Sequence, residues 1–184
     1  MYYIALIRGI NVGGNNKVDM KTLAEIFGLL GFNAVKTYIN SGNVLFESDN
    51  PSTNKLVEII QDKIKEVFGI QVKVLVLSTS KLEEICSSIN LEWLNNEEMK
   101  TDVMFLPPEI DSPEVLKELK HDPEKENLIY VPGALVWNIL RVNYDQGMVP
   151  KFIGSKLYTQ ITARNINTVR KLSALALNQI IHHG

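Results

Sequence analysis

Apolar positions along the chain follow two periods. Tyr2–Ile7 is a short apolar run and predicts a strand. Gly9–Lys17 (GINVGGNNK) then holds three Gly and three Asn and reads as a loop. Met20, Leu23, Ala24, Phe27 and Leu30 follow a helical stripe, with Asp19 placed to cap its start and Gly31 to end it. Ala34–Ile39 and Val44–Glu47 predict a hairpin around Asn40–Asn43 (NSGN). Asn50 and Pro51 open a second helix with the stripe Leu56, Ile60, Ile64 and Val67, ended by Gly69. Ile70–Leu77 is the next strand. The order is β-α-β-β-α-β, the split βαβ arrangement. Strands one and three are apolar on both faces, so they belong in the centre. Strands two and four alternate and carry Lys36 and Lys73, as edges do. The expected sheet order is therefore 4-1-3-2, antiparallel.

The second half is less regular. Ser80–Ser88 predicts a short helix and Asn90–Lys100 an acidic connector. Asp102–Leu106 predicts a strand, and Ser112 caps a helix running to Lys120. Leu128–Val131 and Leu135–Leu140 are strands joined at Pro132–Gly133. Arg141–Gly154 reads as a loop, followed by helices at Ser155–Ile161 and Thr168–Ile181. This gives β-α-β-β-α, a second copy of the first half without its last strand. The fold class expected is α+β, with two ferredoxin-like (split βαβ) parts, residues 1–78 and 79–184, packed as one compact unit.

Composition narrows the class. Of 184 residues, 45% are hydrophobic and 22% charged, which excludes disordered and fibrous chains. No apolar run approaches the ~20 residues of a membrane span, so no membrane partner is expected. The start has no basic region and no small-residue cleavage site, and the single Cys86 cannot form an internal disulfide; both point to the cytoplasm. His121, His182 and His183 have no ligand spacing with Cys86, so no metal is expected. The net charge of −2 hides a division. Residues 1–46 are net +2, residues 47–129 net −9 and residues 130–184 net +5. The middle reads as solvated acidic helices. The two ends can form a positive face for an anion.

Candidate chemistry concentrates in four polar segments: Arg8–Lys17, Asn40–Asn43, Ile153–Lys156 and Thr162–Thr168. The crossover makes strands one and two parallel, so Arg8 with its loop and the Asn40–Asn43 turn should lie side by side. The loop matches no phosphate-binding fingerprint. Asn15 and Asn16 stand where a P-loop needs Lys-Ser/Thr, and Asn11 replaces the middle Gly of a dinucleotide motif. What remains is generic anion chemistry. Gly13 and Gly14 can expose backbone N–H groups, a helix starts near Asp19, and Arg8 and Lys17 can pair with a phosphate or carboxylate. The bland reading is a structural turn with Arg8 in an internal ion pair. Asn167 or Thr168 can cap the last helix. Arg164 either pairs with a core carboxylate or joins the positive face. Ser41 has no identifiable base, and Cys86 reads as a small core residue. The segments hold no His and no carboxylate for acid–base work, so the reading leans away from an enzyme. Tyr2, Tyr3, Tyr38 and Phe46 read as packing rather than base stacking, because no RNP-like pattern is present.

Three stretches carry a resemblance: YIALIRGINVGGNNKVDM, LGFNAVKTYINSGNVLF and TARNINTVRKL. Together they resemble the bacterial family filed as domain of unknown function 1697, over nearly the whole chain. The resemblance implies an α+β fold with two ferredoxin-like parts and no established activity. The family's recurrent polar residues fall here on Arg8, Gly9, Asn11, Gly13, Gly14, Asn40, Ser41, Gly42, Asn43, Arg164 and Asn165. Ile166 stands where the family usually has Trp.

The chain is expected to be a cytoplasmic protein with a polar, basic site for a small anionic ligand, a nucleotide or phosphometabolite, and no cofactor. The residues expected to hold the ligand are Arg8, Asn11, Gly13, Gly14, Lys17, Asn40, Ser41, Asn43, Arg164 and Asn165. The alternatives are a nucleic-acid-binding module, disfavoured by the net charge, and a self-association or protein-interaction domain.

Overall fold

The computed structural model of the chain describes residues 1–14 and 16–183. Asn15 and the side chains of His182 and His183 lie outside the described residues. Among these residues the strands form two four-stranded antiparallel sheets. The first holds β1 (Tyr2–Ile7), β2 (Asn33–Tyr38), β3 (Asn43–Glu47) and β4 (Val74–Ser78), in the order β2-β3-β1-β4. That is the order the apolar centre and alternating edges predict. Ala5 sits opposite Val44 on one side and Val76 on the other.

Two helices back this sheet. In α1 (Met20–Leu29) the Asp19 carboxylate caps the start by accepting from the Thr22 amide at 2.7 Å. Leu23, Ile26 and Phe27 face inward. In α2 (Thr53–Phe68) the cap is Ser52, not Asn50; the Asn50 side chain instead accepts from the Ser52 amide one step earlier. Leu56, Ile60 and Ile64 are buried as expected, but the i+4 step from Ile64 lands on Phe68, and Val67 is exposed. Phe27, Phe32, Phe46 and Tyr3 stack in the centre of this core, with ring centroids 4.5–5.7 Å apart. Tyr3 and Phe46 are thus core residues, as the sequence indicates. Strand β4 starts at Val74 rather than Ile70. Ile70 and Val72 pack on the core without pairing, and the Val72 carbonyl accepts from Gln61 Nε2 at 2.8 Å.

The second sheet holds β5 (Met99–Phe105), β6 (Glu126–Val131), β7 (Ala134–Leu140) and β8 (Thr162–Asn165), in the order β6-β7-β5-β8. Strand β8 corrects the expectation that this half lacks a fourth strand. Each sheet has the same pattern: second, third, first, fourth. The crossovers differ. Ser112 does cap, but it leads only into 3-10 turns at Pro113–Glu118, closed by i→i+3 bonds such as Leu119 N–H to the Leu116 carbonyl. The segment expected to be a loop contains a 3-10 stretch, Arg141–Gln146, and the short helix α4 (Met148–Phe152). The helix expected at Ser155–Ile161 reduces to a 3-10 turn, Tyr158–Gln160. Helices α3 (Thr79–Ser87) and α5 (Ile166–His183) complete the chain.

The chain divides into two compact units, Met1–Ser80 with Ala174–Gly184, and Lys81–Ser173. In the first, Gln179 Nε2 donates to the Ala34 carbonyl at 2.8 Å. In the second, the core gathers around Trp137, which is fully buried. Its Nε1–H donates to the Glu126 carboxylate, which also accepts from the backbone N–H groups of Met148 and Asp122. Glu126 is 4% exposed, so three neutral donors hold a buried carboxylate in place. Among the described residues no helix is long and apolar enough to cross a membrane.

Candidate functional site

The loop after β1 is built on one side chain. Asn11 takes a positive φ of 56° and turns its amide back on the loop. Its Oδ1 accepts from the Val18 N–H at 2.8 Å, and its Nδ2 donates to the Val18 carbonyl at 2.9 Å. The same Nδ2 donates to the Asn40 carbonyl at 3.0 Å. Both amide protons and one lone pair are thereby used. Asn11 closes the loop at its base and ties it to the β2–β3 turn. Asn16 adds a bond from its Nδ2 to the Gly9 carbonyl at 3.0 Å.

The turn itself is pressed against the end of β1. The Ile7 N–H donates to the Gly42 carbonyl at 2.7 Å. A Cβ on Gly42 would lie 2.9 Å from Ile7 and from the Ile10 side chain. Asn43 is fully buried, and its Nδ2 donates to the Tyr38 carbonyl and to Ser41 Oγ at 3.0 and 3.1 Å. The loop and the turn are neighbours, as the parallel relation of strands one and two requires.

Between them lies a cleft of about 380 Å³, lined by Asn11, Gly14, Lys17, Asp19, Met20 and Asn40. Of its lining, Gly14 and Lys17 are exposed; Gly13, next in the loop, is exposed too, and Arg8 is half-buried, with its backbone N–H bonded to the Lys73 carbonyl at 2.9 Å. The Asp19 carboxyl is held below its ordinary value by the Thr22 amide and hydroxyl, which hydrogen-bond the charged form. Its charge faces the start of α1, so the helix N-terminus is already occupied by the chain's own carboxylate. The basic side chain that lines this cleft is Lys17.

The expected ligand residues thus divide by role. Gly13, Gly14, Lys17 and Asn40 border open space. Asn11 and Asn43 hold the loop and the turn from inside, Asn11 bonding backbone and Asn43 the Tyr38 carbonyl and Ser41 Oγ. The sequence names them correctly as neighbours but cannot reveal which amides face inward. Arg164 and Asn165 lie in the second unit. Arg164 sits on β8 opposite Val103, and its Nη1 donates to the Ala163 carbonyl at 2.8 Å. Burial pushes its guanidinium down to about 10, which leaves it charged at neutral pH. Asn165, rather than Asn167 or Thr168, caps α5: its Oδ1 accepts from the Thr168 amide at 2.9 Å. Ile166 is fully buried, so this position serves packing in this chain.

The comparisons with known proteins agree with this architecture. The family model described as "Protein of unknown function (DUF1697)" matches residues 1–137. The conserved bacterial protein SP0830 from Streptococcus pneumoniae has a similar solved structure, with a TM-score of 0.81 and 28% sequence identity. The match covers 95% of this chain and 98% of that one. No curated protein matches the chain.

Proposed function

The chain belongs to the DUF1697 family of proteins of unknown function, and we propose that within it the loop end of the first sheet binds a small anion, a nucleotide or a phosphorylated metabolite. The observation that carries this reading is the Asn11 clamp. One amide fixes the loop and the turn to each other, so the cleft between them is formed before any ligand arrives. Preorganisation of this kind removes an ordering penalty from binding. Gly13 and Gly14 have φ of 59° and 80°, and no neighbour stands within 4 Å of where their Cβ atoms would be. Backbone there can be approached closely, as anion sites in loops require. Lys17 supplies a point charge and Arg8 a bidentate fork. Asp19 repels an anion from the α1 side, which directs the ligand toward Gly14 and Lys17.

Thermal and urea unfolding with pyrophosphate and with AMP tests the reading. A ligand at 100 times its Kd stabilises the parent by about 2.7 kcal/mol. Lys17→Ala and Arg8→Ala should fold and show much less of that gain. No stabilisation of the parent by either probe overturns the proposal. Tight binding of a single-stranded oligonucleotide with steep salt dependence, and none of AMP, would move the site to nucleic acid.

A further inference from the structure

The acidic connector between α3 and β5 has no regular structure, yet it is fastened at many points. Thr101 Oγ1 donates to the Leu94 carbonyl at 2.6 Å, and Arg141 Nε donates to the Asn96 carbonyl at 2.6 Å. Asn167 Nδ2 donates to the Asn95 carbonyl at 2.8 Å. Arg170 Nη2 reaches the carbonyls of Asn90 and Leu91 at 3.1 and 3.2 Å. A segment held this way forms a fixed wall.

Behind that wall is a second cleft, of about 330 Å³, lying wholly within the second unit. Trp93, Met99 and Leu140 form its apolar side, and Glu92 and Glu124 are its exposed carboxylates. Lys125 also lines it, but its Nζ lies 3.3 Å from Asp122 Oδ2 and is engaged there. A directed chain of hydrogen bonds sets the polarity of the cleft's Asn127. Thr101 spends its proton on Leu94, so its Oγ1 accepts from Asn138 Nδ2 at 2.9 Å. Asn138 Oδ1 then accepts from Asn127 Nδ2 at 3.0 Å. Thr101 and Asn138 are buried, at 0% and 4% exposure, so this order is locked. One Nδ2 proton of Asn127 is thereby committed to Asn138, which fixes the sense of its amide, and its amide oxygen can accept from a group in the cleft. Two carboxylates, an amide oxygen and an indole ring ask for a ligand that donates and carries positive charge.

We propose that this cleft binds a primary alkylammonium group, with its –NH3⁺ on Glu92, Glu124 and Asn127 and its methylenes along Trp93, Met99 and Leu140. A free diamine and a lysine side chain share this chemistry. The proposal is independent of the anion site.

Isothermal titration of the full chain with 1,4-diaminobutane, with a short lysine-containing peptide and with tetramethylammonium tests it. One amine probe should bind saturably at one site per chain, and the tighter of the two identifies the source. The doubly exposed pair Glu92→Gln with Glu124→Gln should weaken binding at least tenfold, and Trp93→Leu should weaken it further. Glu83→Gln with Glu84→Gln, an exposed acidic pair elsewhere, should leave it unchanged. Tetramethylammonium, which has no N–H to donate, should bind at least tenfold more weakly. The proposal fails if neither amine saturates, if tetramethylammonium binds equally, or if the two double variants behave alike.

Discussion

At Gly42 a side chain of any size would collide with the end of β1. The position combines a φ of +76° with 2.9 Å approaches to Ile7 and Ile10. Left-handed backbone costs a non-Gly residue about 1–2 kcal/mol, and overpacking about 1–3 kcal/mol. Gly42→Ala should therefore lower stability by about 2–5 kcal/mol in urea unfolding, whereas Gly13→Ala carries the conformational part alone. A Gly42→Ala midpoint equal to that of Gly13→Ala would show that the turn does not press on β1. Glu126 is the second residue where chemistry and packing meet. Removing its carboxylate strands the donors of Trp137, Met148 and Asp122. Each unsatisfied buried donor costs about 1–3 kcal/mol, so Glu126→Ala should lose about 3 kcal/mol or more. The exposed Glu83, Glu84, Glu97 and Glu98 should each shift stability by only about ±0.5 kcal/mol when changed to Gln. The sequence announces none of this difference, because a buried acceptor and a solvated carboxylate are the same letter in an acidic stretch.

Among elements, α1 has a titratable start. Hydrogen bonds from Thr22 lower the Asp19 carboxyl from its ordinary 3.8, so the folded state favours the charged form. The stabilisation is complete above the unfolded value and is lost as pH falls through the lower folded value. Asp19→Asn, which keeps the cap but not the charge, should flatten this acid limb as pH falls below the ordinary 3.8. Denaturant midpoints of the two proteins across that range decide it; parallel curves would deny Asp19 any part in the acid response. The elements also show what could be read beforehand. In the first half, long 3.6-residue stripes and central apolar strands made four strands and two helices legible, with errors of a few residues at Asn50, Val67 and Ile70. In the second half the crossovers contain Pro113 and Pro150, and the chain takes 3-10 turns and one five-residue helix there. Strand β8 escaped because TARN has one apolar residue and no alternation to detect. The candidate site was legible as a neighbourhood, since topology alone joins the Arg8 loop to the Asn40 turn. The division into inward struts and outward groups was not, since Asn11 and Asn40 differ only in where their amides point.

For the whole molecule, the first unit is not contiguous in sequence. It is completed by residues 174–184, which carry the bond from Gln179 to the Ala34 carbonyl. Ala34 takes a φ of 48° beside the irregularity between Asn33 and Lys36, so its carbonyl sits at a point where the β2–β3 ladder is interrupted. Ending the chain after Ser173 should lower the stability of β2 and its neighbours, seen as faster amide exchange across Asn33–Tyr38. Unchanged exchange there would show that the tail adds nothing to this unit. Gln179→Leu, which keeps the helix and removes the donor, should give a smaller effect in the same place.

That discontinuity has a consequence in time. Gln179 follows Ala34 by 145 residues. At about 5–20 residues per second, synthesis delivers the donor roughly 7–30 s after its acceptor. The first sheet is complete only at Ser78, so it must wait roughly 5–20 s of that time with one strand end unfastened, in company with chaperones and proteases, while the second unit is still being translated. The vulnerable interval of this protein's life is therefore set by the ribosome and not by the speed at which either sheet can pair.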